Sequence, residues 1–115
     1  MTSLLDSLKN GRLYYDGACG TYLQQQGLKA GALPELLNID APEVIVDMHR
    51  AYLKSGADII LTNTFGANRF KFADDHVSVE TVVAAAVANG KAARRPKATV
   101  TCLWTSAPWE KSWRL

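Results

Sequence analysis

The sequence predicts an α/β fold in which parallel strands are joined by crossover helices. Three observations carry that expectation. Residues 57–62 read Ala57-Asp58-Ile59-Ile60-Leu61-Thr62, a largely apolar run of strand length. Such a run is typical of a parallel strand covered on both faces. Residues 42–54 and 78–93 each repeat apolar side chains at helical spacing. The elements alternate as strand, loop, helix, strand, loop, helix, and no internal repeat or low-complexity tract interrupts them.

Each element has its own local reason. Residues 3–8 read as a short amphipathic helical turn with Leu4, Leu5 and Leu8 on one face, ended by Asn10-Gly11. Arg12-Leu13-Tyr14-Tyr15 reads as a short strand of bulky residues. It runs into Asp16-Gly17-Ala18-Cys19-Gly20-Thr21, where the glycines leave space for a ligand to approach the main chain. Residues 22–26 read as a helical turn stopped by Gly27, and residues 27–38 as a loop punctuated by Gly31 and Pro34. For the next helix Asp40 is the expected N-cap, Pro42 fits the first turn, and Glu43 suits the positive helix start. Val44, Ile45, Met48, Ala51 and Tyr52 form its expected apolar face, Lys54 suits the last turn, and Gly56 ends it. After the strand at 57–62, Asn63-Thr64-Phe65-Gly66-Ala67-Asn68 is a polar loop at the strand's C-terminal end. Ser78 or Asp75 caps a last helix running through Ala93, with Val79, Val82, Val83, Ala86 and Val87 on its apolar face.

Hydrophobic residues make up 48% of the 115, which supports a packed core rather than disorder. Charge is unevenly spread. Residues 1–90 hold seven Lys/Arg against ten Asp/Glu, whereas residues 91–115 hold six basic residues against Glu110 alone. Trp104, Trp109 and Trp113 also fall in that last segment. Cys19 and Cys102 lie far apart, with no Cys or His at metal spacing from either, which reads as free thiols in a reduced compartment. Residues 1–10 lack the basic start and apolar run of a signal peptide, and no stretch approaches the roughly 20 apolar residues of a membrane span. A soluble cytoplasmic protein is expected. His49 on a helix flank and His76 in a loop are expected at the surface, and Asp58 is expected to serve the start of its strand rather than catalysis.

Two segments stand out together. One is Tyr15-Asp16-Gly17-Ala18-Cys19-Gly20-Thr21. The other runs from Pro34-Glu35-Leu36-Leu37-Asn38 through His49-Arg50-Ala51-Tyr52-Leu53 to Gly56-Ala57-Asp58-Ile59-Ile60-Leu61-Thr62-Asn63-Thr64-Phe65-Gly66-Ala67-Asn68. In this order they resemble the homocysteine-binding domain of cobalamin-dependent methionine synthases and related homocysteine S-methyltransferases, over about residues 10–93. The resemblance implies a (β/α)8 barrel with its active site at the C-terminal ends of the strands. This chain is long enough for only the first two to three β/α units of such a barrel. In the family, zinc held by three cysteine thiolates binds the homocysteine sulfur and lowers its pKa, so that a thiolate attacks a methyl group. The methyl donor is methylcobalamin in the vitamin-dependent members and another methyl compound in their relatives.

Carried over residue by residue, the resemblance assigns Asp16 to the amino-acid end of homocysteine, where a carboxylate suits an ammonium group. Gly17 lets the substrate approach the backbone, and Thr62, Asn63 and Thr64 line the pocket. No residue is assigned a catalytic or zinc-ligating role. Cys19 stands where the family varies, and Cys102 lacks the glycine and cysteine context of the family's zinc segments. The chain alone is therefore expected to be inactive.

The resemblance fades near Arg94, which divides the chain into residues 1–93 and a tail of residues 94–115. The family continues with a third strand ending in Asp-Ile-Gly-Pro-x-Gly, and the genetic code recovers that motif one frame away. The last base of the Trp104 codon with the first two of Thr105 forces Asp, and Trp109 with Glu110 forces Gly; codon choice permits Ile, Gly and Pro between them. A frameshift near residues 94–98 is the resulting expectation, with the tail unable to supply a strand because prolines and charges break its pattern. The competing reading is a complete small α/β binding protein whose basic, tryptophan-containing tail binds nucleic acid. The tail lacks a known binding motif, so no nucleic-acid partner is expected.

Overall fold

A computed structural model describes residues 4–29, 31–70, 72, 77–93 and 99–101. Helix α1 spans Leu4–Lys9 and α2 spans Gly20–Gln25. A 3-10 turn at Pro34–Leu36 leads into α3, Leu37–Asp40, and then α4, Pro42–Lys54. Strand β1 is Ile59–Leu61, α5 is Val79–Ala93 and β2 is Thr99–Thr101. No helix among the described residues is long and apolar enough to cross a membrane.

The strands are parallel, as the unbroken apolar run predicts. β1 pairs with β2 in the register Ile59 to Thr99, Ile60 to Val100 and Leu61 to Thr101, with α5 lying between them in the chain. Tyr15 forms a parallel bridge with Ile59. There Asp16 N donates to Ile59 O at 3.0 Å, and Ile59 N donates to Tyr14 O at 3.1 Å. The strand expected at residues 12–15 is thus reduced to one bridge. The Tyr14 N–H goes to the Asp58 carboxylate, at 3.0 Å from Oδ2, instead of to a main-chain carbonyl, so the ladder stops there. Asp58 accordingly braces the start of β1.

A second departure concerns the tail. Residues 99–101 form β2, which corrects the expectation that this segment supplies no strand. Three residues suffice for one ladder step on either side of Val100, and Thr99–Thr101 falls between the tail's two prolines, Pro96 and Pro108, in a stretch that itself carries no charge. Cys102 and the three tryptophans fall outside the described residues, as do Asp75 and His76.

Helix ends follow their local chemistry, with one correction. Gly56, at φ 113°, closes α4: Gly56 N donates to Leu53 O and Ala57 N to Tyr52 O, the paired bonds of a Schellman ending. Gly27, at φ 102°, closes α2 in the same way, and Leu28 packs back onto the cluster containing Leu23. Ser78 Oγ accepts from Thr81 N at 3.2 Å, so Ser78 caps α5. Asp40, however, does not cap α4. It belongs to α3, and Ala41 takes the cap position without a side-chain hydrogen bond. The segment read as loop over 27–38 therefore ends in helix: Pro34 opens the turn, and Leu36 and Leu37, half-buried, pack against the two apolar clusters.

Among the described residues the core has two clusters. Leu23, Ile45 and Met48 join α2 to α4, and Ala67, Phe72 and Val82 join the loop after β1 to α5. The buried stripe of α4 is Ile45, Met48, His49 and Leu53, turned from the predicted face because α4 packs against α3, α5 and β1 together. His49 is consequently 0% exposed, which corrects its expected surface position. Neither ring nitrogen has a hydrogen-bond partner, and burial pushes its pKa down to about 4. The unfolded state then takes up a proton that the folded state refuses, between the ordinary value of 6.5 and about 4. In a folded protein carrying this segment, urea stability should be full above pH 6.5 and fall as pH drops towards 4. His49→Leu should flatten that slope; an equally steep slope in the variant would assign it to other groups.

Candidate functional site

The residues expected to line a pocket come together where the chain leaves its parallel strands. Asp16 follows the Tyr15 bridge directly, and its Oδ2 accepts from Leu61 N at 3.1 Å. The carboxylate is thereby tied to the end of β1, one residue before Thr62. Burial raises its pKa, and the hydrogen bond to Leu61 works against that shift. Gly17 has a steric reason: a Cβ there would meet Tyr52 Cε1 at 2.9 Å. Tyr52 donates its hydroxyl to Ala18 O, so α4 pins this loop from below. Burial comes first in raising the Tyr52 pKa, followed by the nearby Cys19, Asp16 and Tyr22 groups. Beside the loop lies an open cleft of about 470 Å3 whose walls include Tyr14, Tyr15, Asp16, Gly17 and Tyr52, floored by residues 55–57.

The second loop is more buried than its polar composition predicts. Thr62, Asn63 and Thr64 are all buried, and Thr64 is fully so. The Thr62 and Thr64 hydroxyls share a hydrogen bond of 2.9 Å, and Thr64 N turns back onto Thr62 O at 2.8 Å. The Asn63 amide donates to Pro34 O at 2.8 Å, which ties it to the turn before α3. Asp16, Thr62 and Thr64 therefore gather at adjacent strand ends, while the Asn63 side chain is used for internal bracing.

The sequence reading assigned no role to the residues that brace this loop. Glu35 is 3% exposed, and its Oε1 accepts from Gly66 N at 2.7 Å. Asn38 is 2% exposed and donates to both Glu35 O and Asn63 O. Asn89 on α5 donates to Asn38 O at 3.1 Å. A signal for Asn89 was present: it sits among Val82, Ala86 and Ala93 on an apolar helix stripe. A polar residue in that place needs a buried partner. Glu35 and Asn38, three apart in a turn, carry no such mark.

The described residues do not fit a zinc centre. Among them no group of three or more His, Cys, Asp or Glu could hold a metal. Cys19 is half-buried with its sulfur 3.9 Å from Gly17 O. Burial, aided by the Asp16 charge, pushes its pKa up to about 11, so it keeps its proton near neutrality and is a poor thiolate ligand.

Comparison with known proteins gives a uniform result. The profile of the family described as homocysteine S-methyltransferase matches residues 13–112. A methionine synthase of Mycobacterium leprae (strain TN) is 38% identical over 79 residues, and one of Mycobacterium tuberculosis (strain ATCC 25618 / H37Rv) is 39% identical over 79. Each match covers 64% of this chain and 7% of the relative. Among solved structures, the metallated form of the homocysteine methyltransferase MmuM from Escherichia coli superposes with a TM-score of 0.75 at 20% identity. It covers 92% of this chain and 42% of that one. The oxidized form gives a TM-score of 0.76 at 21% identity, over 92% and 41%. The chain thus spans less than half the length of either kind of relative.

Proposed function

The chain belongs to the homocysteine S-methyltransferase family, and on that premise we propose that residues 1–93 are the N-terminal part of a homocysteine-binding (β/α)8 barrel. One observation carries the reading. The two loops that hold the family motifs meet at the C-terminal ends of adjacent parallel strands, joined by the Asp16 to Leu61 hydrogen bond. That is the end at which barrel enzymes build their sites. In this proposal Asp16 accepts the substrate ammonium in a charge-assisted contact beside the Gly17 main chain, and Thr62 and Thr64 form the wall, with Asn63 between them braced on Pro34 O.

The complete reaction in this reading is methyl transfer to the zinc-bound thiolate of homocysteine, giving methionine, with cobalamin supplying the methyl group in the vitamin-dependent members. The described residues lack a donor set for zinc, so no step through the metal is assigned to this chain. The alternative, a complete small protein with a nucleic-acid-binding tail, draws no support from the matches, which are to methyltransferases.

Activity tests the first half of the proposal. The 115-residue chain should form no methionine from homocysteine and a methyl donor above a metal-free blank, because the zinc thiolates are missing. Formation above that blank would overturn it. The second half needs a hybrid barrel in which residues 13–93 replace their counterpart in a full-length family enzyme. There Asp16→Asn should weaken homocysteine binding by about 1.5–3 kcal/mol. Asparagine keeps an oxygen for Leu61 N, so the loop survives while the charge is lost. Unchanged KM and kcat for homocysteine would make Asp16 a loop residue.

For residues 94–115 the proposal remains a change of reading frame, moved to lie between Thr101 and Trp104. β2 follows α5 in the order of the fold, and the forced Asp spans Trp104 and Thr105. Nucleotide sequence decides this: the shifted frame should continue into cysteine-bearing strands, and an immediate stop in it would oppose the proposal.

A further inference from the structure

We infer that Glu35 and Asn38 are positioning residues for the pocket loop that follows β1, an inference that rests on the homocysteine-binding reading above. Three hydrogen bonds cross between the turn at 34–38 and the loop at 62–66. Glu35 Oε1 accepts from Gly66 N at 2.7 Å, Asn38 Nδ2 donates to Asn63 O at 2.8 Å, and Asn63 Nδ2 donates to Pro34 O at 2.8 Å. They join segments 25 to 31 residues apart, so no local turn chemistry produces them. Asn89 of α5 holds Asn38 from behind.

The clamp holds Asn63, the middle of the short stretch Thr62, Asn63 and Thr64, on both its main chain and its side chain, and holds Gly66 just beyond that stretch. That stretch lies beyond the β1–β2 ladder, which ends at Leu61. The clamp therefore sets its shape where the ladder no longer can. Glu35 is an expensive way to do so. Its carboxyl is buried, and Oε2 has no hydrogen-bond partner. A neutral side chain would avoid that desolvation. What the carboxylate adds is a short charge-assisted bond to Gly66 N, stronger in dry surroundings than a neutral one. A buried, half-satisfied carboxylate aimed at the backbone of a pocket loop, and belonging to neither apolar cluster, is placed to hold geometry rather than to fill a core.

The hybrid barrel tests this with two variants. In Glu35→Ala, the homocysteine KM should rise on the order of tenfold while the KM for the methyl donor stays unchanged, and Glu35→Gln should recover most of that loss by keeping an oxygen for Gly66. A homocysteine KM unchanged in Glu35→Ala, or a parallel rise in both KM values, overturns the inference. Amide exchange at Gly66 supplies a readout independent of catalysis and of the alanine variant's folding. Exchange should quicken on the order of tenfold in Glu35→Gln relative to the unaltered hybrid, with the β1 amides unchanged. Equal exchange at Gly66 overturns the clamp. A folded hybrid with Glu35 intact that binds no homocysteine overturns the functional reading and the pocket role with it, and Gly66 exchange then still decides the clamp.

Discussion

Heating the isolated 115-residue chain should give no sharp cooperative transition, and concentrated samples should aggregate. Only three segments build the described sheet, two of them paired in a three-residue ladder and the third held by a single bridge. Sheets this small depend on helices for cover. Among the described residues the two apolar clusters, around Leu23, Ile45 and Met48 and around Ala67, Phe72 and Val82, each have only three buried members and contain no strand residue. Large apolar groups remain in water: Leu5 is 69% exposed, Tyr15 61%, Phe65 73% and Phe70 60%. Burial contributes about 25 cal/mol per Å2 of apolar surface, while ordering the backbone costs roughly 1–2 kcal/mol per residue. A closed barrel tips this balance by covering both faces and both edges of every strand. This chain covers 42% of the longer methyltransferase structure it resembles, and on the barrel reading proposed above the remaining strands that supply that burial lie outside residues 1–115. A monomeric sample with a cooperative thermal transition and dispersed amide NMR signals would sink the prediction.

Asn38→Ala should destabilise a hybrid barrel carrying residues 13–93 by about 1–3 kcal/mol in urea unfolding. The asparagine amide is the donor to two carbonyls, Glu35 O at 2.9 Å and Asn63 O at 2.8 Å. Alanine strands Asn63 O in a buried setting, leaves Glu35 O with only the Leu37 backbone N–H, and removes the Oδ1 that faces Asn89 Nδ2 at 3.4 Å. Each buried polar group left without a partner costs about 1–3 kcal/mol, far more than the net value of the bond that satisfied it. A loss below about 1 kcal/mol, within the range of an ordinary surface change, would mean that water satisfies these groups and that the network does not brace the loop.

The parallel strand at β1, the long helices α4 and α5, and the glycine endings at Gly27 and Gly56 were all legible in residue order, because each depends on neighbours within a few positions. Periodicity marks a buried face, and a glycine after the last apolar position marks a helix end. The motif loops containing Asp16 and residues 62–64 were legible for another reason, as runs of particular residues shared with a family. Long-range contact was needed for the rest. The first strand shrank to one bridge because the Asp58 side chain, 44 positions away, takes the Tyr14 N–H. His49 became a core residue because α4 touches α5 and β1 at once, which turns its buried stripe to Ile45, Met48, His49 and Leu53 and leaves Ala51 of the predicted face exposed. Glu35, Asn38 and Asn89 acquired their role only when segments 25 to 51 residues apart met. A side chain's hydrogen-bond partner is a property of three-dimensional proximity, and polar residues in a turn look the same in the sequence whether they face water or hold a distant loop in place.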